Sequence, residues 1–160
     1  VPPSKVQTLA ETTRRLGCDI LSDRAGSPAV EFALIAPLLF ALMMGIIQVG
    51  IIFNNYVELI DGVRAGSRNL AISRSTTTPW TTSTAAVTAS AANLTVASVA
   101  ITLKVNGVAC TSDSSCVTAL STAAGEPASV SATYPCNLSI MGVNYATSCS
   151  LSSQSTERIE

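Results

Sequence analysis

The chemistry open to this chain rests on five cysteines and one isolated carboxylate with a glycine behind it. Cys110, Cys116, Cys136 and Cys149 lie in the second half, and Cys18 stands apart from them. Glu31 lies two residues before the run Ala33 to Phe53, ALIAPLLFALMMGIIQVGIIF, which is twenty-one residues without a charge. Gly26 precedes Glu31 by five positions. The chain has no histidine, which removes the commonest general base, the usual metal ligand and the Ser-His and Cys-His nucleophile pairs. Asp113, Glu126 and Glu157 are scattered along the second half and suggest no acid/base pair. No catalytic residue, no metal and no cofactor is expected, and the chain reads as something other than an enzyme.

Thiols in an oxidising compartment pair. The four cysteines beyond the apolar run allow two disulfides in three connectivities, with Cys18 left over on the other side. Adjacent pairing, Cys110 with Cys116 and Cys136 with Cys149, is the expectation taken. A four-cysteine zinc site is the rival, but the spacings lack the close C-x₂₋₄-C pair such sites use. Four free thiols would require this part of the chain to face the cytoplasm.

The elements that position these groups follow from hydrophobic period and breakers. Twenty-one uncharged residues at about 1.5 Å each are enough to cross the roughly 30 Å hydrocarbon core of a bilayer. Beyond Phe53 the helical period continues through Leu59, Val63, Gly66 and Leu70, with Glu58, Asp61, Arg64 and Arg68 between them. The reading is one helix over 28–73, apolar all round at first and amphipathic afterwards. Pro37 removes a backbone hydrogen bond inside it and predicts a kink. Gly62 and Gly66 lie one turn apart, a spacing that permits close helix packing or is incidental in a helix of small residues.

Ser75 to Pro79 breaks the pattern, and Trp80 to Leu94 reads as a second, Ala-rich helix. The period then changes to two. Strands are expected over 99–105, ending at the turn signal Asn106-Gly107, over 128–134 and over 149–158. The fold class is therefore α+β: a long amino-terminal helix, a second short helix and a small antiparallel sheet of about three strands. The expected organisation is a leader over 1–26, a long helix over 27–74 with its membrane segment at 33–53, and an extracytoplasmic domain over 75–160.

A net charge of −1 with no clustering of basic residues disfavours nucleic acid as a partner. Arginines flank the apolar run on both sides, so the positive-inside rule is nearly silent. The cysteine partition and the Ser/Thr-rich second half place the leader inside and the domain outside. The run is longer than the apolar region of an ordinary signal peptide and reads as retained. Asn93-Leu-Thr95 and Asn137-Leu-Ser139 are glycosylation sequons, expected by chance in so hydroxyl-rich a chain.

The junction Gly26-Ser27-Pro28-Ala29-Val30-Glu31-Phe32 resembles the processing site of type IV prepilins, a glycine with a glutamate five residues on, at the head of a long apolar helix. Glu31-Phe32-Ala33-Leu34 and Pro37-Leu38-Leu39 resemble more closely the TadE-like family of pseudopilins, from the Tad (tight adherence) pilus system. The resemblance covers about residues 24–74. It implies cleavage between Gly26 and Ser27 by a prepilin peptidase, and assembly through Glu31 and Phe32 on a helix that packs against other pilins and pseudopilins. It further implies an inner-membrane platform as partner, with the carboxyl-terminal domain in the periplasm or outside the cell. Cleavage would also remove Cys18. Major pilins of this system carry tyrosine after the glutamate. Phe32 lacks that hydroxyl, which points to a minor pseudopilin with a structural role in filament biogenesis and adherence. The other reading is an uncleaved, single-pass, membrane-anchored binding or adhesion protein.

Overall fold

A computed structural model describes residues 27–160 apart from Asn137, Met141 and Thr147. The expected leader, with Gly26 and Cys18, lies outside the described residues. The described chain opens with α1, Ser27–Ile72, which holds Pro37 in its interior. Pro28 falls in its first turn, where a missing N–H leaves no bond unmade.

The chain divides into two compact units, one through Met43 and one from Met44. In the first, the described residues form the opening turns of α1, and their apolar side chains are bare: Phe32 is 66% exposed and Leu34 77%. The second unit takes the rest of α1 into a hydrophobic core. It continues with α2 (Pro79–Ser90), the strands β1 (Ala100–Val105) and β2 (Val108–Cys110), the helix α3 (Asp113–Ser121), and β3 (Pro127–Pro135). It closes with a small hairpin of β4 (Ser139–Ile140) and β5 (Val143–Asn144), followed by β6 (Ser150–Arg158).

Local chemistry explains most boundaries. Pro79 opens α2 with its ring at the first helical position. The hydroxyls of Thr82, Thr84 and Thr88 donate back to the carbonyls of Thr78, Trp80 and Thr84, which satisfies them inside a helix they would otherwise weaken. At α3 the Ser112 hydroxyl accepts from the Ser115 N–H at 3.3 Å, while the Ser115 hydroxyl accepts from the Ser112 N–H at 3.1 Å. This is a reciprocal cap made with serine in place of the usual Glu or Gln. Asn106 (φ 47°) and Gly107 (φ 79°) are both left-handed, as a two-residue hairpin turn between right-twisted strands requires.

The main sheet is antiparallel in the order β2-β1-β3-β6. It has four strands where about three were expected, and β4–β5 form a separate pair. The added strand is β2, the return arm that the Asn106-Gly107 turn demands. One sheet face is apolar and buried through Leu103, Val105, Ala128, Val130 and Ala132. The alternate residues Thr102, Lys104 and Thr133 are exposed, the pattern of a sheet wet on one side. Leu59, Val63 and Leu70 of α1, Val87 of α2 and Leu120 of α3 complete the core.

Two disulfides staple this small core. Cys110–Cys116 joins the end of β2 to α3, and Cys136–Cys149 joins the segment after β3 to the one before β6, each with Cα atoms 5.1 Å apart. In the chain-entropy model, loops of these lengths contribute about 2–3 kcal/mol each.

Candidate functional site

Processing and assembly chemistry would act on the start of α1. Ser27 is its first residue, and Gly26, the other half of the expected scissile bond, lies outside the described residues. Glu31 and Phe32 follow in the next turn, both exposed. Four residues separate Ser27 from Glu31, so the backbone nitrogen of Ser27 and that carboxylate lie one helical turn apart. Around and beyond them the surface is apolar on every side: Val30, Ile35, Leu38 and Phe40 are all more than half exposed. A helix that is hydrophobic all round is covered in a working protein by lipid or by other helices. Among the described residues, α1 is the one helix long and apolar enough to cross a membrane.

Where α1 becomes amphipathic, three features tie it to the domain. Gly62 and Gly66 face α2. A Cβ built on Gly62 would lie 2.8 Å from the Val87 carbonyl oxygen and 3.3 Å from the Ala91 Cβ, and one on Gly66 would enter the Val87 side chain. The small-residue spacing is therefore used for packing within the chain. Secondly, the Glu58 carboxylate accepts from Asn54 Nδ2 at 3.0 Å, from the Asn93 backbone N–H at 3.2 Å, and from Asn93 Nδ2. This bond occupies the amide of the first sequon. The second sequon begins at Asn137, outside the described residues. Thirdly, Ser67 is fully buried, and its hydroxyl lies 3.0 Å from both the Arg64 carbonyl and the Ser155 hydroxyl, which seats α1 on β6.

A second carboxylate links α2 to α3. Asp113 accepts from the Thr81 N–H at 2.9 Å and from the Thr81 hydroxyl at 2.6 Å. The Thr81 hydroxyl, then its N–H, hold this carboxyl below the usual aspartate value. A depressed folded pKa means that the stabilisation is complete above the unfolded value, near 3.9, and is lost as pH falls through the folded one. Thr81→Ala is expected to raise the Asp113 midpoint in a carbon-detected titration of the carboxyl. A midpoint unmoved by that change would dissociate the two residues.

The junction and the cysteines stand out in the sequence, whereas the roles of Glu58 and Asp113 do not. Their partners Asn93 and Thr81 lie 35 and 32 residues away, and no local pattern marks such pairs. A weak signal did exist for Asp113, which follows a serine at a helix start.

Residues 26–68 match the family model of TadE-like proteins. This segment, about a quarter of the chain, is similar to TadE-like proteins. No curated protein and no solved structure matches the chain. The TadE-like segment opens on Gly26 and runs through Glu31, Phe32 and Pro37 into the amphipathic half of α1, where it takes in Glu58, Gly62 and Gly66. It thus spans the bare apolar surface together with the first contacts to the domain. Pro37 lies inside the helix.

Proposed function

We propose that this chain is a minor pseudopilin of a Tad-type pilus assembly system, a structural subunit made as a prepilin. In this reading a prepilin peptidase cuts between Gly26 and Ser27 on the cytoplasmic face. The apolar half of α1 then lies in the inner membrane, and the disulfide-bonded domain faces the periplasm or, in a pilus, the exterior. The observation that carries it is the TadE-like match beginning at Gly26, on a helix whose opening turns bare apolar side chains all round.

The physical logic is consistent with that role. Glycine before the scissile bond lets an unhindered backbone enter a protease. Cutting there makes an ammonium at Ser27, one turn from Glu31. As helices bundle, the carboxylate of one subunit meets the amine of a neighbour, and two charges that lipid disfavours neutralise each other. Phe32 in place of tyrosine suits a subunit present in few copies. The two disulfides fit an oxidising compartment, which supports a leader on the cytoplasmic side.

Mass spectrometry of the protein extracted from membranes tests this directly. The expected amino terminus is Ser27. A chain retaining residues 1–26 would overturn the pseudopilin reading and leave a membrane-anchored binding protein.

A further inference from the structure

The main sheet ends on β6, and hydrogen-bond parity identifies which of its backbone groups are open. The Ile159 N–H donates to the Glu126 carbonyl at 3.0 Å, and the Cys136 N–H donates to the Cys149 carbonyl at 3.1 Å. Odd-numbered residues of this strand therefore turn their backbone groups toward β3. The Pro127 carbonyl accepts from Asn106 at 2.8 Å, on the β1 side, which leaves its mate Arg158 facing outward. Because antiparallel strands alternate these directions, Ser150, Ser152, Gln154, Thr156 and Arg158 present their N–H and C=O groups at the sheet edge. No proline interrupts these nine residues, and their two charges, Glu157 and Arg158, sit at one end. Proteins commonly blunt such an edge. The opposite edge is blunted: β2 has three residues, of which Ala109 alone faces outward.

A groove of about 500 Å³ runs along the open edge, between five consecutive residues of β6, Ser152 to Thr156, and Tyr56, Ile60 and Arg64 of α1. Consecutive strand residues point to opposite faces, so β6 lines this groove with its backbone edge. We propose that the groove is a strand-acceptor site. An extended segment of a different protein chain adds to β6 as a fifth strand of the main sheet and sets an acidic side chain against Arg64.

The chemistry of the groove selects this occupant. Alternating backbone donors and acceptors match the edge of an extended polypeptide. The Arg64 side chain is 65% exposed and its guanidinium meets Asp61 across 3.8 Å, a pairing that water largely screens. A second copy joined through its own β6 does not fit. The two-fold axis of such a pair is perpendicular to the sheet and turns α1, which lies on that sheet, end for end. The apolar residues 44–53, which belong to the same unit as the sheet, would then point in opposite directions in the two copies, whereas in the proposed role both enter one membrane. A second copy joined through β2 offers one outward residue. That the donor is another subunit of the pilus machine rests on the pseudopilin reading, whereas the acceptor site does not.

The test uses the full chain in detergent with two synthetic probes, a fluorescent peptide of alternating threonine and valine with a central glutamate, and the same peptide with a central lysine. The glutamate peptide is expected to bind saturably and about tenfold more tightly, the scale of one charge-assisted contact. Amide exchange at Ser152, Gln154 and Thr156, fast in the free chain, should slow on binding. Arg64→Glu, on an exposed position, should invert the preference between the peptides. Gln154→Pro removes an outward donor, spares the ladder to β3, and should abolish binding. Slow exchange at the even positions before peptide is added, an unchanged preference in Arg64→Glu, or no binding of either peptide up to about 1 mM would overturn the proposal. Peptide binding by a chain whose amino terminus is unprocessed would sink the pseudopilin reading alone.

Discussion

Glu31→Ala is expected to enter the membrane and be cleaved like the parent chain, yet to be depleted from assembled pili by about tenfold or more, the factor that 1.4 kcal/mol represents. The two outcomes separate because they draw on different parts of the same helix. In the proposed role, insertion draws on the twenty-one uncharged residues from Ala33 to Phe53, and removing an acid from the helix end can only ease it, since a carboxylate in lipid is unfavourable. Assembly, in that role, draws on a charge for the Ser27 ammonium to meet. Glu31→Gln keeps the size and a hydrogen-bonding tip but not the charge, and should resemble alanine. Glu31→Asp keeps the charge on a shorter stem and should retain part of the function. The measurement is the ratio of sheared, pilus-associated protein to membrane protein for each variant, with the amino terminus checked by mass. Pilus incorporation of Glu31→Ala at the parental level would remove charge pairing as the mechanism, whatever the processing result.

How far the fold was legible in the residues depended on the range of the forces involved. The long helix was expected over 28–73 and is found at Ser27–Ile72, because an apolar run followed by a helical period is a purely local signal. The second helix starts one residue before Trp80 but stops at Ser90, short of Leu94. No glycine or proline marks its end, and the chain leaves the helix by a turn in which the Leu94 N–H bonds to the Ala91 carbonyl. The strand β2 was missed although its turn was recognised, since three residues are too few to show a period of two. The helix α3 was missed because its cap uses Ser115 where Glu or Gln is the usual mark, and because few of its residues are apolar. At the candidate site, Glu31 stands out by spacing within one segment. Glu58 and Ser67 were not, because what they do is decided by Asn93 and Ser155, far along the chain.

Gly62→Val is expected to destabilise the domain by about 2–3 kcal/mol, and Gly66→Ala, which adds a single methyl, by about 1–2 kcal/mol. Any side chain at either position gains helix propensity over glycine, up to about 1 kcal/mol for alanine, so the sign depends on what the new atoms meet. At Gly62 the first atom met is a backbone oxygen, that of Val87, with the Ala91 Cβ close behind. A backbone oxygen held inside α2 cannot turn aside, and valine adds two methyl groups to the clash. At Gly66 the first atom met is a methyl of Val87, with the Ser83 carbonyl oxygen at 3.3 Å; Val87 is fully buried and held in one rotamer by its helix, so relief requires a small shift of α2. A loss of this size at Gly62 is a large share of the total for a small domain, typically 5–15 kcal/mol. Denaturant unfolding of the two variants, followed by the fluorescence of the single tryptophan, Trp80, measures the difference. A stabilised Gly66→Ala together with Gly62→Val at or above parental stability, as for glycines on a bare helix face, would show that α1 and α2 do not pack this way. The two sites also separate in the proposed function. Gly62 and Glu31 lie on one helix, but Gly62→Val should destabilise the domain while sparing insertion and cleavage, and Glu31→Ala should spare the domain while removing the chain from the assembly. A variant that lost both together would contradict that division.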